Sequence, residues 1–148
     1  MRYIIPLLLI LLAAPAAAQD CQKIYDKFDS TTAHMCSDTL DALYEHSARA
    51  VMQTFRKETN YWYGQIILTT GVPSYDLLAT EHMDVRVGEW EGEIPVRMDP
   101  EHTRWTKVIF RLTPDLRKRL TSGDSIRVRV HKNAYTANEI ANQIRSLQ

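Results

Sequence analysis

Residues 113–131 read TPDLRKRLTSGDSIRVRVH and carry the clearest structural signals of the chain. Thr113 precedes Pro114, and Gly123 follows an amphipathic run, which is the pattern of a helix with a capping residue, proline at its first position and glycine past its end. Ser125 to His131 then alternates polar and apolar residues, as in a strand with one buried face. This stretch therefore predicts a short helix near 114–121 followed by a half-buried strand.

The segments on either side extend the same mixed pattern. Residues 136–139, Thr-Ala-Asn-Glu, have the form of a capping box, and apolar residues follow at helical spacing, so a C-terminal helix is predicted. Upstream, residues 61–70 and 105–112 are rich in β-branched and aromatic residues and predict strands. Residues 83–98 predict a hairpin whose turn is formed by Glu91 and Gly92.

The segment from Asp38 to about Glu58 suggests a different element. Its apolar and small residues recur at i, i+3, i+4 and i+7, and Ser37 or Asp38 can cap the first turn. The stripe consists of Leu40, Leu43, Tyr44, Ser47, Ala48, Val51, Met52 and Phe55. The sequence predicts an amphipathic helix here, near the N-terminus of the mature chain, preceded by a loop or short helix over residues 19–36.

These elements together predict an α+β fold. We expect a mostly antiparallel sheet of about four to six strands with an N-terminal amphipathic helix, a short helix near 114–121 and a C-terminal helix. The sequence contains no internal repeat, low-complexity tract or Gly/Ser linker, so residues 19–148 are predicted to form a single exported domain.

The first 18 residues have the pattern of a secretory signal peptide. Arg2 precedes a short apolar run, and Ala-Pro-Ala-Ala-Ala at 14–18 offers a small-residue cleavage site. The run is shorter than the roughly 20 apolar residues that a spanning helix needs, and Pro6 interrupts it. We therefore expect residues 1–18 to be removed, no transmembrane anchor to remain after cleavage, and the mature protein to be periplasmic or secreted.

Cys21 and Cys36 are the only two cysteines. In an oxidising compartment an even cysteine count favours a disulfide bond, which we expect to tie the mature N-terminus to the start of the first helix. Metal ligation and a nucleophilic thiol are the alternatives, but neither a C-x-x-C pair nor zinc-type spacing is present.

Charge is distributed unevenly along a chain whose net charge is zero. Residues 104–132 contain nine basic side chains against two acidic ones, and strand parity places Trp105, Lys107 and Arg111 on one face. If that strand pairs with 125–131, Arg127 and Arg129 join the same face. This face predicts binding to a protein with an acidic surface or to anionic lipid head groups, and not to nucleic acid. Alternatively, these charges are simply solvated, or balance Glu89, Glu91 and Glu93 within the fold.

No catalytic motif accompanies these features. The sequence contains no G-x-S-x-G, no H-E-x-x-H and no glycine-rich phosphate loop, so we predict neither an enzyme, nor a metal site, nor a cofactor. The leading hypothesis is an exported, non-enzymatic binding or accessory protein. The alternatives are an inhibitor or immunity protein that inserts the acidic hairpin 89–93 into an exported hydrolase, and a small hydrolase or metal-dependent enzyme.

Short stretches resemble type VI secretion-associated periplasmic proteins. They are Cys36-Ser37-Asp38, Val96-Arg97-Met98-Asp99 and Leu120-Thr121-Ser122-Gly123. The resemblance implies a periplasmic accessory role, which agrees with the leading hypothesis. The cysteine spacing and the glycine-poor C-terminus depart from the pattern of that family.

Overall fold

The computed structural model describes residues 20–26, 30–102, 104–123 and 125–148. The predicted signal peptide therefore lies outside the described residues. In chain order the elements are β1 Asp20–Asp26, β2 Thr31–Thr39, β3 Asp41–Ala42, β4 Arg49–Lys57, β5 Trp62–Thr69, α1 Tyr75–Leu78, β6 His82–Val87, β7 Trp90–Pro95, β8 Arg97–His102, β9 Trp105–Arg111, α2 Pro114–Ser122, β10 Ile126–Val130, β11 Asn133–Thr136 and α3 Glu139–Leu147.

The described strands form two antiparallel sheets. One has six strands in the order β1-β2-β4-β5-β9-β8, and the other has five in the order β3-β11-β10-β6-β7. The chain changes sheet after the β6–β7 hairpin, where Val96 alone separates β7 from β8. The predicted α+β class with mostly antiparallel strands is confirmed, but the strand number was underestimated because a second sheet was not anticipated.

The predicted N-terminal helix is wrong. Residues 38–58 form the end of β2, the short β3 and the whole of β4, and the preceding segment, predicted as a loop or short helix, forms β1 and most of β2. Ala50, Met52 and Thr54 alternate inward along β4, while Phe55 is buried on the opposite face against Tyr63. Because both faces of β4 carry apolar residues, their combined spacing imitates a helical stripe.

The hairpin over residues 82–95 is confirmed, with its turn displaced. Val87 pairs with Trp90, so Gly88 and Glu89 form the two-residue turn instead of Glu91 and Gly92. Gly88 has a positive φ of 58°, a conformation that tight hairpin turns require and that glycine adopts without strain. The predicted second arm is divided, since Met98 belongs to β8 in the other sheet.

Both C-terminal helices are present, and their N-termini differ. The Thr113 hydroxyl accepts a hydrogen bond from the Leu116 amide at the start of α2, as the sequence predicts. At α3 the capping box does not form: Asn138 is the N-cap residue and its side chain makes no capping hydrogen bond. Instead, the Asn138 side chain accepts from the Ile126 amide, which joins the start of α3 to β10.

The inner faces of the two sheets and the buried sides of α2 and α3 share one core. The helix α3 packs against β2 and β4 and places the fully buried Gln143 beside Thr54. Two residues beyond Thr54 on β4, the Arg56 guanidinium lies 5.5 Å from the centroid of the Trp62 ring, and the Arg117 guanidinium lies 4.4 Å from it. Burial, and secondarily the charge of Arg56, lowers the pKa of Arg117. The outer faces of both sheets are thereby left for solvent or partners.

Candidate functional site

Three of the five residues predicted to form a basic face do lie on one face of β9. Trp105 and Arg111 are exposed and Lys107 is half-buried, whereas the alternate residues Thr106 and Val108 are buried. Strand parity was therefore predicted correctly for this strand. This face is the outer surface of the six-stranded sheet.

Arg127 and Arg129 lie elsewhere. They are exposed on β10, which pairs with β6 and β11 in the five-stranded sheet, whereas β9 pairs with β5 and β8 in the other sheet. The pairing of residues 105–112 with 125–131, on which a shared basic face depended, does not form. The five residues consequently belong to two separate surfaces.

The first surface is a groove on the six-stranded sheet, which we call the β9 groove. It has a volume of about 570 Å³. Its side chains include three aromatic or aliphatic residues, four basic residues, an amide and one acid: Tyr61, Tyr63, Ile109, Lys57, Arg97, Lys107, Arg111, Gln65 and Asp99. Trp105 lies on the same face of β9, two residues before Lys107.

Aromatic stacking organises the β9 groove. The rings of Phe55 and Tyr63 are parallel, with centroids 4.5 Å apart, and Tyr61 lies 6.0 Å from Tyr63. The Arg111 guanidinium is 5.7 Å from the centroid of the Tyr61 ring. Sequence reasoning missed the two tyrosines, although the aromatic-rich start of β5 was the available signal. What could not be predicted was that β5 and β9 are neighbours.

The second surface, the β10 groove, lies on the outer face of the five-stranded sheet and has a volume of about 500 Å³. The side chains of Arg129 and Asp84 form an ion pair, with the Arg129 Nε 2.8 Å from the carboxylate, and Arg86 is paired with Glu91. Leu43 and Tyr44 form an apolar wall at its β11 side. These pairs are not the balance that the sequence suggested, since Asp84 lies outside the acidic hairpin 89–93 and Arg86 lies outside the basic residues of 104–132.

Two of the nine basic residues of 104–132 make contacts with tryptophan rings that stabilise the fold. Arg117 lies 4.4 Å from the centroid of Trp62, and Arg119 lies 4.7 Å from that of Trp90 on β7. Such cation–π contacts attach α2 to its neighbours. The local basic excess is therefore partly structural.

The predicted disulfide between Cys21 and Cys36 is confirmed. It joins cross-strand neighbours on β1 and β2, and not the N-terminus to a helix as expected. Both sulfur atoms are therefore joined in the disulfide, and the described residues contain no free cysteine. Neither a thiol nucleophile nor a thiolate metal ligand is provided by this pair.

Within the described ranges, no three His, Cys, Asp or Glu side chains are grouped so that they could hold a metal ion. In the same residues, none of the helices has the length and apolar character required to span a membrane. The buried Tyr135 hydroxyl donates to the Ala48 carbonyl at 2.5 Å, and burial raises its pKa. That tyrosine braces the loop before β4, and its raised pKa keeps the hydroxyl protonated as the donor of this hydrogen bond.

The architecture defines the class of fold as two antiparallel sheets with a helical pair near the C-terminus. No family model and no curated protein matches the sequence. Among solved structures, the fold is similar to that of invasion associated protein b from Bartonella henselae, with a TM-score of 0.53 and 9% sequence identity over 87% of this chain and 92% of that one. At this identity the likeness establishes a shared fold alone.

Proposed function

We propose that the chain is an exported, non-enzymatic binding protein whose β9 groove captures a protein partner with an acidic surface. Two features support export: the N-terminal pattern of residues 1–18 and the Cys21–Cys36 disulfide, a bond that persists in oxidising compartments. The periplasm or the extracellular medium is therefore the proposed location. The proposed binding site is on the outer face of the six-stranded sheet.

The observation that carries this proposal is a cluster in which Phe55 stacks on Tyr63, Tyr61 lies tilted beside Tyr63, and the Arg111 guanidinium lies over the Tyr61 ring. Tyr61 is 44% exposed, so the outer end of the stack faces solvent, while its inner end is anchored by the buried Phe55. Tyrosine and arginine are enriched among the residues that dominate protein–protein binding, and aromatic rings held in advance lose little conformational entropy on association. Trp105, 45% exposed on the same face, extends this surface.

Charge selects the kind of partner. Lys57, Arg97, Lys107 and Arg111 line the β9 groove together with a single acid, Asp99. A basic surface steers an acidic partner toward it and rejects a basic one. An anionic membrane would satisfy the charge as well. The composition favours a protein partner over a lipid surface, because tyrosine and arginine are enriched at protein–protein interfaces.

Reversing one charge in this groove is expected to weaken binding about tenfold, as loss of a single interface arginine commonly does. The variant is Arg111→Glu, and fluorescence anisotropy with a labelled glutamate-rich peptide as the acidic probe measures the effect. Lys118→Glu, on the exposed side of α2, makes the same change in net charge away from the groove and should bind almost as the wild type does. Affinity should also fall as salt is raised.

Three results would contradict the proposal. Equal losses in Arg111→Glu and Lys118→Glu would show that only net charge matters, and an unchanged affinity in Arg111→Glu would remove the groove from binding. Preference for phosphatidylglycerol vesicles over the peptide, abolished by Arg111→Glu, would assign the surface to lipid instead. Circular dichroism spectra of the variants control for folding.

The alternative functions have less support. For an inhibitor that inserts the acidic hairpin, the Glu91 carboxylate would have to be free, but it is paired with Arg86 on the adjacent strand. For a hydrolase or metal enzyme, the described residues offer no cluster of ligands. Neither alternative is therefore preferred to the binding protein.

A further inference from the structure

We propose that the β10 groove is a second, separate binding site, which takes the carboxylate of a small ligand that also carries a ring or an aliphatic group. The site is independent of the β9 groove, because it lies on the other sheet and shares no lining residue with it. Three arginines lie across its neighbouring strands: Arg86 on β6, and Arg127 and Arg129 on β10.

Arg127 on β10 is the direct cross-strand neighbour of Arg86 on β6. Directly opposed side chains have Cβ atoms roughly 5 Å apart, and like charges in such positions repel one another. Arg86 has a partner in Glu91, and Arg129 has one in Asp84. In the described part of the chain Arg127 makes no ion pair and no side-chain hydrogen bond. An anion bound by Arg127 beside Arg86 would relieve the repulsion and use the donors of the exposed Arg127 side chain.

The surrounding acids determine what charge that anion should have. Asp84 stands on β6, the strand next to β10, and Glu91 and Glu93 stand on β7, on the far side of β6, so three acids balance the three arginines of the groove. A dianion such as phosphate would be repelled by these carboxylates more strongly than a monoanion. A planar carboxylate also matches the forked donors of a guanidinium group. The groove is therefore expected to prefer a carboxylate over phosphate.

The apolar wall indicates what is attached to the carboxylate. Leu43 is 40% exposed and Tyr44 is 52% exposed, and both line the groove. Contacts within the fold hold both residues in place. The Leu43 backbone amide donates to the Ala134 carbonyl, and the Tyr44 ring stacks on the His46 ring with centroids 5.3 Å apart. His46 in turn bonds to the Lys132 carbonyl. A preformed aromatic surface beside a cationic pair fits a carboxylate that carries a ring or an alkyl group.

Two kinds of molecule supply this chemistry, namely the C-terminus of a peptide and an acidic sugar. N-acetylphenylalanine represents the first and glucuronate the second, with N-acetylphenylalanine amide as the neutral control and inorganic phosphate as the dianion. The full mature chain is titrated with each compound and monitored by nuclear magnetic resonance. One of the two carboxylates should cause saturable changes in the chemical shifts of the backbone amides of β10 and of residues 43–46. Whichever carboxylate binds more tightly identifies the source.

Replacing Arg127 with glutamine should weaken carboxylate binding about tenfold, since a charge-assisted hydrogen bond contributes this much or more. Arg49→Gln, at an exposed arginine on β4, is the matched control and should bind as the wild type does. The proposal is overturned if Arg127→Gln binds unchanged, if the neutral amide binds as tightly as the acid, or if phosphate binds more tightly than both carboxylates. Arg111→Glu should leave this binding intact, so failure of the β9 groove and failure of this site are distinguishable.

Discussion

Replacing Gln143 with leucine is expected to reduce the free energy of unfolding by about 2–4 kcal/mol. The Gln143 side chain is fully buried on α3, where its carbonyl accepts the Thr54 hydroxyl at 2.5 Å and its amide donates to the Met52 carbonyl at 3.5 Å. Leucine has similar bulk but supplies neither group. The Thr54 hydroxyl, itself fully buried, would then lack its acceptor.

Urea denaturation monitored by tryptophan fluorescence measures this loss. The informative control is the double variant Gln143→Leu with Thr54→Val, which removes both polar partners together. Because the penalty comes mainly from leaving one buried group unsatisfied, the double variant should be more stable than Gln143→Leu alone. Simple addition of the two single losses would show that the hydrogen bond is not what makes Gln143 important.

Loss of the Cys21–Cys36 disulfide is expected to cost about 3 kcal/mol, the contribution that chain-entropy arguments give for closing a loop of this length. The two cysteines are separated by 15 positions, and β1 is an edge strand that pairs with β2 alone in the sheet. When the disulfide is opened, β1 therefore loses its covalent cross-link to β2 and is held at the sheet edge by its pairing with β2. The stabilisation comes mainly from restricting the unfolded chain.

Thermal unfolding of wild type with and without reductant, beside Cys21→Ser, tests this expectation. Cys21 is exposed, so serine there creates no buried cavity, and the variant should match the reduced wild type while showing no response to reductant. Hydrogen exchange should show the largest loss of protection in the amides of β1. A wild type whose unfolding is unaffected by complete reduction would contradict the prediction.

Local signals in the sequence predicted some elements well. The helix α2 is preceded by Thr113 and Pro114, and its cap forms as expected because a side chain and a backbone amide three residues apart decide it. The signal for β10 is equally local, since the alternation of Ile126, Arg127 and Val128 already distinguishes the buried face of the strand from its exposed face. In both cases the information lies within a few residues.

The segment 38–58 shows where such reasoning fails. Its apolar residues satisfy helical spacing only because Met52 is buried on one side of β4 and Phe55 on the other. A strand buried on both faces loses its period-two pattern, and neighbouring strands β2 and β5 decide its conformation. The partners that override the local signal are distant in the sequence.

The candidate surfaces show the same division. The sequence alone predicted that Trp105, Lys107 and Arg111 share one face of their strand, that Arg127 and Arg129 share one face of theirs, and that the two cysteines form a bond. Only the tertiary structure decided that β9 and β10 belong to different sheets, which turned one predicted basic face into two grooves. The physical reason is that alternation specifies which side of a strand is buried, whereas the choice of neighbouring strand depends on how distant segments bury their apolar faces together.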